Sequence, residues 1–175
     1  EEIWRVSVDE YRRMAKIPLV LILDNVRSMH NIGAVLRTAD AFCIEKVVLC
    51  GITATPPNNE IHKSALGAEF SVCWEYSPEA QTPVRTLRDE GYRVLAVEQT
   101  QDSTPLGSLP IDSAAKYALV LGNEVSGVEQ ATIDLCDGSV EIPQYGTKHS
   151  LNVSVACGIV VWTFFEKLRS KRETI

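Results

Sequence analysis

The chain has no apolar run long enough to cross a bilayer. Its longest, Val155 to Phe165, is about half of what a spanning helix needs. No signal-peptide pattern opens it, and it begins on Glu1 rather than Met, which leaves room for an upstream segment. Its five cysteines, at 43, 50, 73, 136 and 157, form no C-x-x-C pair. An odd number set mostly in apolar stretches reads as reduced thiols in a cytoplasmic protein. The three histidines are scattered without metal-ligand spacing, so no metal is expected. Positive charge is scarce: 17 Lys and Arg against 23 Asp and Glu give a net charge of −6. That argues against non-specific coating of nucleic acid, and leaves open an RNA enzyme with a local basic surface. Three site signatures are missing as well. No G-x-G-x-x-G follows a strand-like run, and no G-x-S-x-G elbow occurs. The stretch GNEVSG has the glycine spacing of a phosphate loop, but Val128 and Glu129 stand where Lys and Ser or Thr are required.

What is present is the pattern of one globular domain: 175 residues, 45% apolar and 23% charged. Apolar strand-like runs occur at 19–26, 46–50, 71–76, 92–99, 117–123 and 139–143. Helical spacing lies between them, at 31–42, 61–66, 84–91 and 127–136, and a long helix is expected from 150 to about 170. Near-continuous apolar strands alternating with helices predict an α/β fold, a mostly parallel sheet with helices on both faces. Residues 1–17 read as a separate amphipathic arm, and 18–175 as the domain.

Ligands of such sheets bind beyond the carboxyl ends of the strands, so the loops after strands carry the information. Three of them are rich in polar groups. The first holds Asn31, Gly33 and Arg37; the second places Glu124 between two glycines; the third, KHSLNVSVACGIVVW, sets Ser150 and Asn152 before an apolar run. Each has a plainer reading. Arg37 could lie along its own helix, Glu124 could serve a helix dipole, and Ser150 or Asn152 could cap the last helix. Their convergence at one sheet edge favours a site.

Together NIGAVLRTADAF, LVLGNEVSG and IPQYGTKHSLNVSVA resemble, in order and spacing, the SpoU (TrmH-like) branch of the SPOUT RNA methyltransferases. KSALGAEFSV is similar to a further segment of that family, and the resemblance covers roughly residues 18 to 168. It implies a SPOUT-type fold with a C-terminal trefoil knot, against the usual absence of knots. It also implies a homodimer, S-adenosylmethionine as methyl donor, and a ribose 2′-hydroxyl of tRNA or rRNA as acceptor. The shortness of the chain leans towards tRNA. On this resemblance Arg37 matches the catalytic arginine and Asn31 the asparagine that positions it. Glu124, Ser150 and Asn152 match the remaining polar positions. Gly122 with Leu121 beside it, Ile142 and Leu151 match the donor-binding backbone, and the strand end from Val97 to Gln99 is expected in the same pocket. Cys43, Val125 and Gln144 depart from common family residues, which touches only pocket shape.

Arginine poses a chemical question, because a guanidinium does not readily give up its proton. Either Arg37 takes the hydroxyl proton in a desolvated site, or it stays charged, grips phosphate and stabilises the developing alkoxide. The helix after Asn152 is apolar on nearly every side and needs cover all round, which favours a dimer. Candidate RNA contacts are Arg27, His30, Lys63, Lys148, His149 and the terminal Arg12, Arg13, Lys16, Lys167, Arg169, Lys171 and Arg172. The alternative function is a non-catalytic RNA-binding relative. No membrane association is expected.

Overall fold

The computed structural model describes residues 5–169, so Lys171 and Arg172 lie outside the described residues. After helix α1 (Val8–Arg13) comes β1 (Ile17–Asp24), whose residues from Leu19 to Leu23 are wholly buried. Successive side chains of a strand point to opposite faces, so an unbroken apolar run can be buried only with cover on both sides. That is what happens. Leu19, Leu21 and Leu23 join a core with α2 (Met29–Ala41) and α7 (Val153–Leu168), while Val20 and Ile22 join a second core with α5 (Gln81–Asp89).

The other strands are β2 (Ile44–Cys50), β3 (Trp74–Ser77), β4 (Tyr92–Val97), β5 (Thr104–Pro105), β6 (Lys116–Leu121) and β7 (Gly138–Glu141). Among the described residues they form one sheet in the order β3-β2-β1-β6-β4-β7-β5, and every pairing is parallel. The two neighbours β1 and β6 part company at their carboxyl ends. From β1 the chain runs to β2 on one side; from β6 it passes β4 to reach β7 on the other. Such a switch point opens a crevice beyond the strand ends.

Helix starts follow local chemistry. The side chains of Ser28, Asn58 and Asn152 cap α2, α3 (Asn59–Ala65) and α7 by accepting from first-turn amides. Ser7 and Glu10 form a reciprocal capping box on α1, which packs down through buried Tyr11.

Some elements differ from the sequence expectation. Residues 71–73 are not strand: Leu66 and Gly67, both left-handed at φ 53° and 97°, turn the chain into the short helix α4 (Ala68–Ser71). The helix expected at 127–136 shrinks to α6 (Gln130–Ile133), because the amides of Val128 and Glu129 are taken by the carboxylates of Glu98 and Asp24. The last helix begins at Val153, not at 150. Strand β5 and the 3-10 turn Leu106–Ser108 had no sequence signal.

Gly33 lets α2 and α3 touch. A Cβ there would stand 2.0 Å from Ser64 Oγ and 2.4 Å from the Ile61 carbonyl oxygen. Gly33→Ala should therefore destabilise the fold by roughly 1–3 kcal/mol, as overpacking does. A urea unfolding midpoint at or above that of the wild type would contradict this close approach.

Candidate active site

At the switch point the loop after β6 closes on itself. Asn123 and Gly127 exchange backbone hydrogen bonds of 3.0 and 2.9 Å, and Asn123 Oδ1 accepts from the amides of Val125 and Ser126. Both glycines are needed for proximity. A Cβ on Gly122 would lie 2.2 Å from the backbone of Gly127 and Val128. One on Gly127, at φ +70°, would lie 2.3 Å from Glu98 Oε2. The glycine spacing that resembles a phosphate loop thus has a packing cause. The loop is fastened to the turn after β1, where Asn123 Nδ2 donates to the Asn25 carbonyl at 2.8 Å.

Glu124 sits at the centre of this junction. Its Oε2 accepts from the Arg27 amide at 3.0 Å, and its Oε1 from the Ser28 amide at 3.0 Å and Asn31 Nδ2 at 3.1 Å. The other end of the Asn31 side chain, Oδ1, accepts from Asn152 Nδ2 at 3.2 Å. Asn152 Oδ1 in turn accepts from the amides of Ser154 and Val155 to start α7. Three loops are thereby joined through one buried amide. Partial burial alone would raise the Glu124 carboxyl; the amides of Arg27 and Ser28, its own amide and Asn31 together hold it below its ordinary value. It stays ionised at neutral pH.

Beside the junction lies a cavity of about 290 Å³. Val97, Gln99, Leu121, Gly122, Glu124, Ile142, Ser150 and Leu151, all singled out in the sequence, line it. Asn31, bonded to Glu124, and Asn152, bonded to Asn31, do not line the cavity. Arg37 does not line it either: it is exposed on α2, with no hydrogen-bond or ion-pair partner among the described residues. Its place is six residues beyond Asn31, less than two helical turns, about 9 Å along the axis at 1.5 Å per residue.

Glu98, inside the strand end from Val97 to Gln99 that was expected in the pocket, lines the cavity as well, and so does Glu141, which the sequence did not single out. Glu98 falls between two residues that were singled out. Its carboxylate accepts from the Val128 amide at 3.1 Å and the Gln99 amide at 3.2 Å, tying the end of β4 to the glycine loop. A charged residue directly after an apolar strand was the available signal. The lining contains three carboxylates, His149, and neither Lys nor Arg. Apolar walls with a negative potential suit a flat, cationic ligand and disfavour a phosphate. No group of His, Cys, Asp and Glu among the described residues is arranged to hold a metal ion.

Comparison with known proteins gives a concordant picture. The model of the SpoU rRNA Methylase family matches residues 18–162. A 23S rRNA (guanosine-2'-O-)-methyltransferase RlmB of Neisseria meningitidis is 34% identical over 153 residues, covering 87% of this chain and 60% of the relative. The Vibrio cholerae protein of the same name is 34% identical over 170 residues, covering 94% of this chain and 64% of the relative. The chain therefore spans less than two thirds of these relatives. Among solved structures, a TrmH/SpoU tRNA modifying enzyme of A. aeolicus superposes with a TM-score of 0.81 at 25% identity, over 94% of this chain and 82% of that one. An AdoMet-bound rRNA methyltransferase of Sinorhizobium meliloti gives 0.77 at 26% identity, over 94% and 60%.

A carboxyl held below its ordinary value stabilises the fold above that value and loses this contribution as pH falls through its lowered one. Glu124→Gln should cost roughly 1–3 kcal/mol at neutral pH, since an amide nitrogen then opposes an N–H. The gap to wild type should narrow below pH 4.5, the ordinary carboxyl value. Urea midpoints across pH report it, and a gap independent of pH would refute the assignment.

Proposed function

Because the chain belongs to the SpoU rRNA methylase family, we propose that it transfers a methyl group from S-adenosylmethionine to a ribose 2′-hydroxyl of RNA. The names of the relatives move the expected substrate from tRNA to ribosomal RNA. The observation that carries the proposal is the acidic, apolar-walled cavity at the switch point, built against the Glu124–Asn31–Asn152 junction.

The proposal includes the C-terminal trefoil knot of the SPOUT type. In its support, the chain passes β4 to reach β7 and then returns, so that α7 packs on β1 and α2. It includes a homodimer as well. On α7, Val155, Ile159 and Trp162 are 50%, 39% and 48% exposed at helical spacing, an apolar stripe left open to solvent. Phe42, at the end of α2, packs on Trp162 and extends the patch.

S-adenosylmethionine supplies an electrophilic methyl group on a cationic sulfur. The walls at Val97, Leu121, Gly122, Ile142 and Leu151 would hold its adenine and ribose, and Glu98, Glu124 and Glu141 would favour its positive charge. In the reaction the 2′-oxygen would bond the methyl carbon as the carbon–sulfur bond breaks, the electron pair staying on sulfur as a neutral thioether, and the hydroxyl proton would pass to Arg37 or to water. Alignment supplies much of the rate, and the fixed junction is what holds the loops in line. Ser150, in the cavity wall, is a hydroxyl available to orient the sugar. Arg37 is assigned to the acceptor side. A second copy seated on the α7 stripe would bring the exposed guanidinium beside a pocket, to grip phosphate in a fork and share or offset the charge of the 2′-oxygen.

Calorimetry with S-adenosylmethionine, followed by labelled-methyl transfer to unmodified ribosomal RNA, tests the proposal. Arg37→Lys should keep donor affinity and lose about 100-fold or more in transfer, the scale of removing an oriented charge-stabilising donor. Wild-type turnover in that variant would reject a guanidinium role, and absent donor binding in the wild type would favour a non-catalytic relative. Trp162→Glu should give a monomer in sedimentation and lose transfer; a dimer of unchanged stability would remove α7 from the interface.

A further inference from the structure

The cations of this acidic chain are not evenly employed. Lys46, Lys63, Arg88, Arg93 and Arg169 are in ion pairs, and Arg12, Lys16 and Lys116 donate to backbone carbonyls. Arg5, Arg13, Arg37 and Arg85 have no side-chain partner among the described residues, and neither do the exposed Arg27 and Lys148. The last two belong to the two loops that flank the cavity: the Arg27 amide is bound to Glu124, and Lys148 precedes the lining residues His149, Ser150 and Leu151. The same loop carries Tyr145, which is 96% exposed, the highest value of any large hydrophobic side chain described. Its neighbour Gln144 lines the cavity, while among the described residues its own ring makes no ring contact and its hydroxyl has no partner. Val125, itself part of the lining, is 87% exposed.

A bare aromatic ring next in sequence to a residue of the cavity wall, with unpaired cations in the two flanking loops, has the composition of a single-stranded RNA contact. Bases stack on aromatic faces while Lys and Arg meet the phosphates. A second copy of this chain is the weaker occupant, because Tyr145 is surrounded by exposed Gly146, Thr147, Lys148 and His149 rather than by apolar neighbours. We infer that Tyr145 is the stacking platform for an RNA base next to the target ribose, and that Lys148 and Arg27 contact the phosphates flanking it. This rests on the methyltransferase reading and adds to it where the RNA lies.

Retention of an unmodified large-subunit ribosomal RNA transcript on filters, over a salt series, tests the inference. Donor affinity by calorimetry and sedimentation velocity run alongside. Tyr145→Ala should weaken RNA binding about tenfold, the scale of one base–aromatic stack. Donor affinity and sedimentation should not change, and Tyr145→Phe should bind as wild type. Lys148→Ala should lower the slope of log affinity against log salt by about 0.7, one phosphate on a single strand. The inference is overturned if Tyr145→Ala binds RNA normally, or if it dissociates a dimer and so identifies a second copy as the occupant. A wild-type chain that neither binds nor methylates the transcript would remove the methyltransferase reading and this inference together. A wild-type chain that does both, with Tyr145→Ala unaffected, removes the inference alone.

Discussion

One carboxylate and one amide hold the working edge of this molecule together. Glu124 accepts from two backbone amides of the turn after β1 and from Asn31, and Asn31 accepts from Asn152. The amide at 31 is used in both senses, as donor at one end and acceptor at the other. Neither Asp nor Leu could do this. An Asp would set a second carboxylate against Glu124, and a Leu would leave both Glu124 and Asn152 short of a partner in a half-buried place. The links span 93 and 121 residues of sequence, so the junction forms only after the sheet has brought its strand ends together.

The rest of the fold serves that requirement. Burial on both faces of the central strands sets their order, and the order sets the crevice. Close backbone approach at Gly122 and Gly127, clamped by Glu98, shapes the cavity floor. The start of α7 is then fixed by the same asparagine that touches Asn31. Capping and site-building are one structural act at Asn152, which explains why polar residues stand directly before the most apolar run of the chain. Ser150 plays no part in that cap; it belongs to the cavity wall.

Legibility in the sequence followed the range of the forces. The central strands could be read because double-faced burial leaves an unbroken apolar run, as from Leu19 to Leu23. Helix α2 could be read from its spacing, though its true start depends on the Ser28 cap. Helix α6 could not be bounded, because the carboxylates that capture its leading amides come from Glu98 and Asp24, 30 and 105 residues away. The polar loops were visible individually, but their hydrogen-bonded order was not, since nothing local distinguishes a capping Asn from a bridging one. The chemistry itself came from family resemblance: neither composition nor spacing names a sulfonium donor. The surroundings of Arg37 were beyond reach, because exposure on a helix depends on which neighbours pack against it.

The central claim concerns one atom, the ribose 2′-oxygen. Quantitative mass spectrometry of nucleosides from the ribosomal and transfer RNA of cells with and without the protein addresses it directly. The account predicts that one 2′-O-methylnucleoside falls at a single position of ribosomal RNA and returns with the intact gene. Loss of a base-methylated nucleoside instead, or an unchanged set of 2′-O-methyl marks, would contradict it.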